Sequence, residues 1–120
     1  MQKDNLSVNV ETRYSQYRAM WVFVLFDLPT ATKKDQRAAA KFRKDLISFG
    51  FCMFQFSIYL RHCSSKESSD AHMKRVKKIL PPKGKVVILS VTDKQFGDMT
   101  IFNGKEPAEL PRVEQQLELF

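Results

Sequence analysis

Cysteine and histidine are both scarce in this chain of 120 residues, and each scarcity excludes a class of protein. The two cysteines, Cys52 and Cys63, have neither zinc-ligand nor dithiol spacing. Two thiols cannot staple a small secreted fold, so a reducing compartment is expected, with Cys52 in the core. The two histidines, His62 and His72, stand ten residues apart and form no His-x-x-x-His pair. Both are expected to face solvent. Glycine numbers four, and no glycine-rich phosphate loop is present. No Ser-His-Asp set is visible either. The longest apolar run, Ala19 to Phe26, is far below the ~20 residues a membrane helix needs. The N-terminus is polar (Gln2, Lys3, Asp4, Asn5), which is unlike a signal peptide.

Phenylalanine, in contrast, is plentiful at ten, and predicts an aromatic-rich core. The length fits one domain. Net charge is +7 and unevenly placed. From residue 106 on, four glutamates face one arginine, a net −3 against +10 for the rest. A basic body with an acidic tail suggests a polyanion partner for the body.

The chain is organised around Met20-Trp21-Val22-Phe23-Val24-Leu25-Phe26-Asp27-Leu28-Pro29. A short unbroken apolar run ended by proline reads as a strand buried on both faces, here spanning 17–26. Helices in so short a chain cover one face, so a second copy of the chain is expected on the other. Asp27 falls where the chain leaves this strand.

Residues 1–16 read as a flexible extension, 17–104 as the folded domain and 105–120 as an acidic tail. Thr32 can cap a helix reaching about Phe49, with Gly50 as its stop. Ala38, Phe42, Leu46 and Phe49 form its apolar stripe. Lys34, Arg37, Lys41 and Lys44 form a basic stripe beside it, with Asp35 the sole acid between Lys33 and Lys44. Such a stripe repels itself, and both phosphate contact and a solvated face remain open readings. Phe51 to Arg61 is β-rich and long, either one bent strand or two strands meeting near Gln55. Ser69 can cap a second helix that buries Met73, Val76 and Leu80 and ends at Pro81-Pro82. Its other faces carry Lys74, Arg75, Lys77 and Lys78. Val86–Thr92 is a strand, Asp93 can cap a short turn, and Thr100–Asn103 is a further short strand before an Asn-Gly turn. The tail ends in Leu117, Glu118, Leu119 and Phe120, and the alternation over 117–119 could add an edge strand to a partner.

The order strand, helix, strand or two, helix, strand is a split βαβ pattern. It predicts an α+β, ferredoxin-like βαββαβ sandwich with an extra C-terminal strand, dimerised through its sheet faces. For chemistry, Asp27 is the candidate. One carboxylate is a poor magnesium site, but a twofold axis nearby would supply a second.

Phe26-Asp27-Leu28-Pro29-Thr30, the basic helix, Gly50-Phe51 through Gln55-Phe56-Ser57-Ile58-Tyr59, and Val91-Thr92-Asp93-Lys94-Gln95-Phe96 together resemble one CRISPR-associated family. It is the small endoribonuclease-like subunit of spacer acquisition, the second Cas protein, in its type II form. The resemblance covers about 18–102. It implies a homodimer in which Asp27 matches the family's metal-binding acid, with Mg²⁺ or Mn²⁺ as cofactor. Gln55 and Ser57 match a structural Gln-x-Ser stretch. The short strand near Ile101 would pair with the other subunit's sheet. The implied setting is a prokaryotic cytoplasm, and the implied partners are the CRISPR integrase (the first Cas protein) and double-stranded DNA, with single-stranded RNA as the other candidate. Two functions follow: an architectural subunit of adaptation that bridges integrase dimers, or a metal-dependent endonuclease acting through Asp27. An RNA-recognition module stands third. A lone acid per subunit and broad basic surfaces favour the architectural role.

Overall fold

The computed structural model describes residues 19–113. The central run becomes β1 (Met20–Asp27), with residues 17 and 18 of the expected strand outside the described range. There follow α1 (Lys33–Ser48), β2 (Cys52–Gln55), β3 (Ile58–Cys63), α2 (Lys66–Lys77) and β4 (Lys85–Thr92). A short α3 (Asp93–Gly97) and the hairpin β5 (Ile101–Asn103) and β6 (Glu106–Ala108) close the described chain. The strands β2-β3-β1-β4 form one antiparallel sheet in that order. This is the ferredoxin-like βαββαβ arrangement. No helix of the described residues is long and apolar enough to cross a membrane.

Period-two alternation divides β1 between two cores. Val22, Val24 and Phe26 point under the helices, where they meet Phe42 and Leu46 of α1 and Val76 of α2. Trp21 and Phe23 point to the other face, with Leu60 and Phe96. That second face is covered in part by the chain itself. Phe96 of α3 stacks on Trp21 with 3.9 Å between ring centroids, and Trp21 Nε1 donates to Asp93 Oδ1 at 2.7 Å. Met99 and Val113 pack alongside. Farther along, Val87 and Leu89 remain 45% and 47% exposed.

Residues 51–61 resolve into two strands. The register between β2 and β3 shifts after Met53, and Ser57 takes a left-handed φ of +68°. The Ser57 carbonyl accepts the Phe26 N–H at 3.0 Å, so the turn is tied to β1. The Gln-x-Ser stretch is therefore a turn and strand junction.

Several local expectations shift. Thr32 caps α1, accepting from Asp35 N at 3.0 Å, but Ala39, Phe42 and Leu46 are the buried positions, with Ala38 only half-buried. Ser65, not Ser69, caps α2. Ser69 sits inside the helix, fully buried, and its hydroxyl meets Ser90 Oγ at 2.9 Å. Leu80 lies past the end of α2 and is exposed rather than buried. Thr92 rather than Asp93 caps α3, in a reciprocal capping box with Gln95. Strand β6 falls beyond the expected domain boundary at 104. The expected extension at 1–16 and the docking residues Leu117, Leu119 and Phe120 lie outside the described residues.

Candidate nucleic-acid interface and acidic site

Both long helices rest on the same face of the sheet, so their outer surfaces form one side of the molecule. On α1, Lys34, Arg37, Lys41 and Lys44 are all exposed. At 3.6 residues per turn they lie roughly 150° round from Ala39, Phe42 and Leu46. The stripe thus points almost directly away from the core, not merely beside it. On α2, Lys74 and Lys77 are exposed, as is Lys78 at its C-cap. The self-repulsion expected on α1 is partly relieved. Lys41 Nζ sits 3.0 Å from Asp45 Oδ2, whereas Asp35 Oδ1 lies 4.0 Å from Nζ of Lys83, a cation outside the helix. Exposed pairs of this kind contribute about 0.5 kcal/mol and leave most of the positive potential in place.

Asp27 ends β1 on the open side of the sheet, in register with Lys85 of β4. Its carboxylate is exposed. Beside it opens a cleft of about 440 Å³ lined by Leu25, Phe26, Phe56, Ser57, Lys85 and Val87. Gly84 holds this corner together. Its φ is +98°, and a Cβ there would meet the Asp27 carbonyl at 2.7 Å. Gly84, flanked by Lys83 and Lys85, therefore lets this loop close on the Asp27 backbone. Phe56 stands 80% exposed at the cleft rim, with the Arg43 guanidinium 5.1 Å from its ring centroid. Neither residue stood out in the sequence. A bulky aromatic next to a β-turn serine was the available signal.

The histidines are not solvent-facing as expected. Both are half-buried. His62 packs edge-on against Trp21 at 5.0 Å. Burial pushes its pKa down, the Asp93 carboxylate pulls it partly back, and Arg61 lowers it further. His72 accepts a hydrogen bond at Nε2 from Arg61 Nε at 3.0 Å. Burial, then the charges of Arg61 and Arg75, hold its pKa below the usual range. Cys63 is buried, and burial pushes its thiol up, so it is a core residue rather than a nucleophile. Cys52 packs half-buried against the Trp21 cluster.

No group of three or more His, Cys, Asp or Glu side chains that could hold a metal exists among the described residues. One chain offers a metal ion a single carboxylate at Asp27, with a lysine opposite.

The CRISPR associated protein Cas2 family model matches residues 20–99, from the start of β1 through α3. The chain belongs to the Cas2 family. A relative from Flavobacterium psychrophilum, named CRISPR-associated endoribonuclease Cas2, is 52% identical over 109 residues, covering 91% of this chain and 95% of its own length. Relatives of the same name from Parvibaculum lavamentivorans and Paracidovorax avenae are 46% and 42% identical. They cover 84% and 87% of this chain, and 100% and 96% of their own lengths. The Cas2 resemblance read from the short motifs thus extends over nearly the whole fold.

Proposed function

We propose that this Cas2 chain is a homodimeric subunit of CRISPR adaptation that binds duplex DNA along its helix layer and bridges integrase subunits. The observation that carries this reading is the two-sided construction of the sheet. One face lies under helices that turn seven cations outward; the other keeps an apolar patch at Val87 and Leu89 open. Cations spread along helices suit a regular phosphate backbone and carry no base readout. An apolar sheet face at this exposure suits a second copy of the same face. The short strand β5, with Phe102 exposed, is suited to pair with that copy. Leu117, Leu119 and Phe120 would dock the integrase as an added strand. The setting is the cytoplasm.

Charge reversal on the helix tests the DNA face. Arg37→Glu with Lys44→Glu avoids Lys41, which is already paired with Asp45. Duplex affinity should fall by an order of magnitude or more, with a shallower salt slope. Unchanged affinity in the folded variant would place the DNA elsewhere.

A second reading rests on the place of Asp27, exposed at the mouth of the 440 Å³ cleft, and on relatives named endoribonuclease. Across a dimer twofold, the two Asp27 carboxylates would hold one Mg²⁺ or Mn²⁺ between them. The ion would supply an activated water and neutralise charge on the scissile phosphate. Asp27 would position it, and Lys85, in register opposite, would hold the phosphate's charge near the cleft. RNA recognition by base stacking has less support, because Trp21 and Phe23 of the central strand are buried with Phe96.

A further inference from the structure

A second cleft, of about 570 Å³, opens on the helix side of the sheet, where α1 ends against α2. It is lined by Phe49, Gly50, Arg61, His72 and Arg75, and shares no residue with the Asp27 cleft. Arg61 projects from β3 on the same side as Tyr59 and Cys63, which belong to the helix-covered core. His72 and Arg75 are neighbours at i and i+3 on α2.

Each part of this cleft holds a guanidinium in place. Gly50 has φ +85°, and a Cβ at this position would overlap Arg61 Nη1. The Gly50 that reads as a helix stop also clears the space Arg61 occupies. His72 fixes Arg61 by accepting from Nε. Phe49 supports Arg75, whose guanidinium carbon lies 4.9 Å from the ring centroid. With Nε2 accepting, the neutral His72 ring carries its proton on Nδ1, which is buried and has no acceptor among the described residues.

Charge in the cleft is unbalanced. Among the described residues, the charges that lower the His72 pKa are Arg61 and Arg75, both positive, and no carboxylate acts with them. The C-terminal end of α1 contributes only about half a negative charge. Two guanidiniums therefore leave roughly 1.5 positive charges uncompensated. A half-buried guanidinium without a carboxylate calls for an acceptor from outside. A phosphomonoester, at −1.5 to −2, matches that excess, and its three oxygens suit paired forks better than a single carboxylate does.

We propose that the Arg61–His72–Arg75 cleft binds a doubly charged phosphate group. Its source is either free phosphate or the 5′-phosphate of a nucleic-acid strand. The site stands on its own geometry and does not depend on duplex binding by the outer lysines.

The test is an NMR titration of the full chain, following the Gly50 amide, the Arg61 Nε–H and the His72 ring. Inorganic phosphate is added at constant ionic strength, with acetate in parallel. A saturable shift with phosphate alone is expected. Arg75→Gln, an exposed substitution that spares the core, should weaken it about tenfold, the loss of one charge-assisted hydrogen bond. No saturable response would overturn the proposal, as would an unchanged response in Arg75→Gln. An equal response to acetate would also overturn it, making the cleft a carboxylate socket for a protein partner. A 5′-phosphorylated oligonucleotide that displaces phosphate when its 5′-hydroxyl form does not assigns the group to a strand end. Equal failure of both oligonucleotides, with phosphate still bound, assigns it to free phosphate.

Discussion

Placing a carboxylate at Leu89 should dissolve the dimer and leave the subunit folded. Leu89 lies on the open side of β4, in register with Phe23, and is 47% exposed in the single chain. Full burial of a leucine stabilises by about 1.5–3 kcal/mol, so covering the exposed half contributes about 1 kcal/mol. A twofold interface counts the residue twice, which gives about 2 kcal/mol per dimer. Leu89→Asp forfeits that sum and buries two carboxylates without partners, each costing more than the ~1–3 kcal/mol that a neutral polar group costs on the mutational scale. The combined loss exceeds about 4 kcal/mol and weakens the dimer by at least roughly three orders of magnitude. The substitution spares Trp21, Val22 and Phe96, so the monomer keeps its cores. Sedimentation velocity reads the association state, and far-UV circular dichroism with a thermal melt reads the fold. A folded Leu89→Asp variant that dimerises like wild type would refute the open sheet face as the interface. So would a wild-type chain that stays monomeric.

Acidification should destabilise the fold in a window where carboxylates stay ionised. His62 and His72 both have folded pKa values below their ordinary 6.5. The unfolded chain therefore takes up these protons first as pH falls. Stability is full above about pH 6.5 and declines below it, until the folded pKa values are passed. Urea midpoints at about pH 7.5 and 5.5 should show the loss, and His72→Gln should reduce it. A flat or rising stability on acidification contradicts the assignment. Trp21→Phe removes the donor to Asp93 while keeping an aromatic ring beside Phe96. A hydrogen bond to a charged group predicts a loss of about 2 kcal/mol in urea unfolding. A change under ~0.5 kcal/mol would mean that Asp93 does not anchor α3 through this bond.

Much of the fold was legible because its signals are local. The apolar run to Pro29 marks β1, and Thr32 carries the right side chain in the right place to start α1. Where signals were degenerate, tertiary contacts decided. Ser64, Ser65, Ser68 and Ser69 all offer capping hydroxyls, and Ser69 was drawn into the core by Ser90 instead. Leu80 fits the helical period of Met73 and Val76, but Pro81 and Pro82 disfavour helix just before them, and it lies beyond the end of α2. Asp27 could be found from the run it ends, and parity with Trp21, Phe23 and Leu25 puts it on the open face. The Arg61–His72 pair was not legible. It joins a strand to a helix across eleven residues, and only the packing of Gly50 reveals its purpose. Lys41 read as an unpaired cation because its partner, Asp45, lies one residue past the stripe.

The most direct measurement is binding to duplex DNA of protospacer length, with and without the cognate integrase, comparing wild type and Asp27→Ala in Mg²⁺. The architectural account predicts intact DNA, bound equally by both proteins and more tightly when integrase is present. DNA cut by wild type and spared by Asp27→Ala would contradict it and make Asp27 the metal-holding residue of a nuclease.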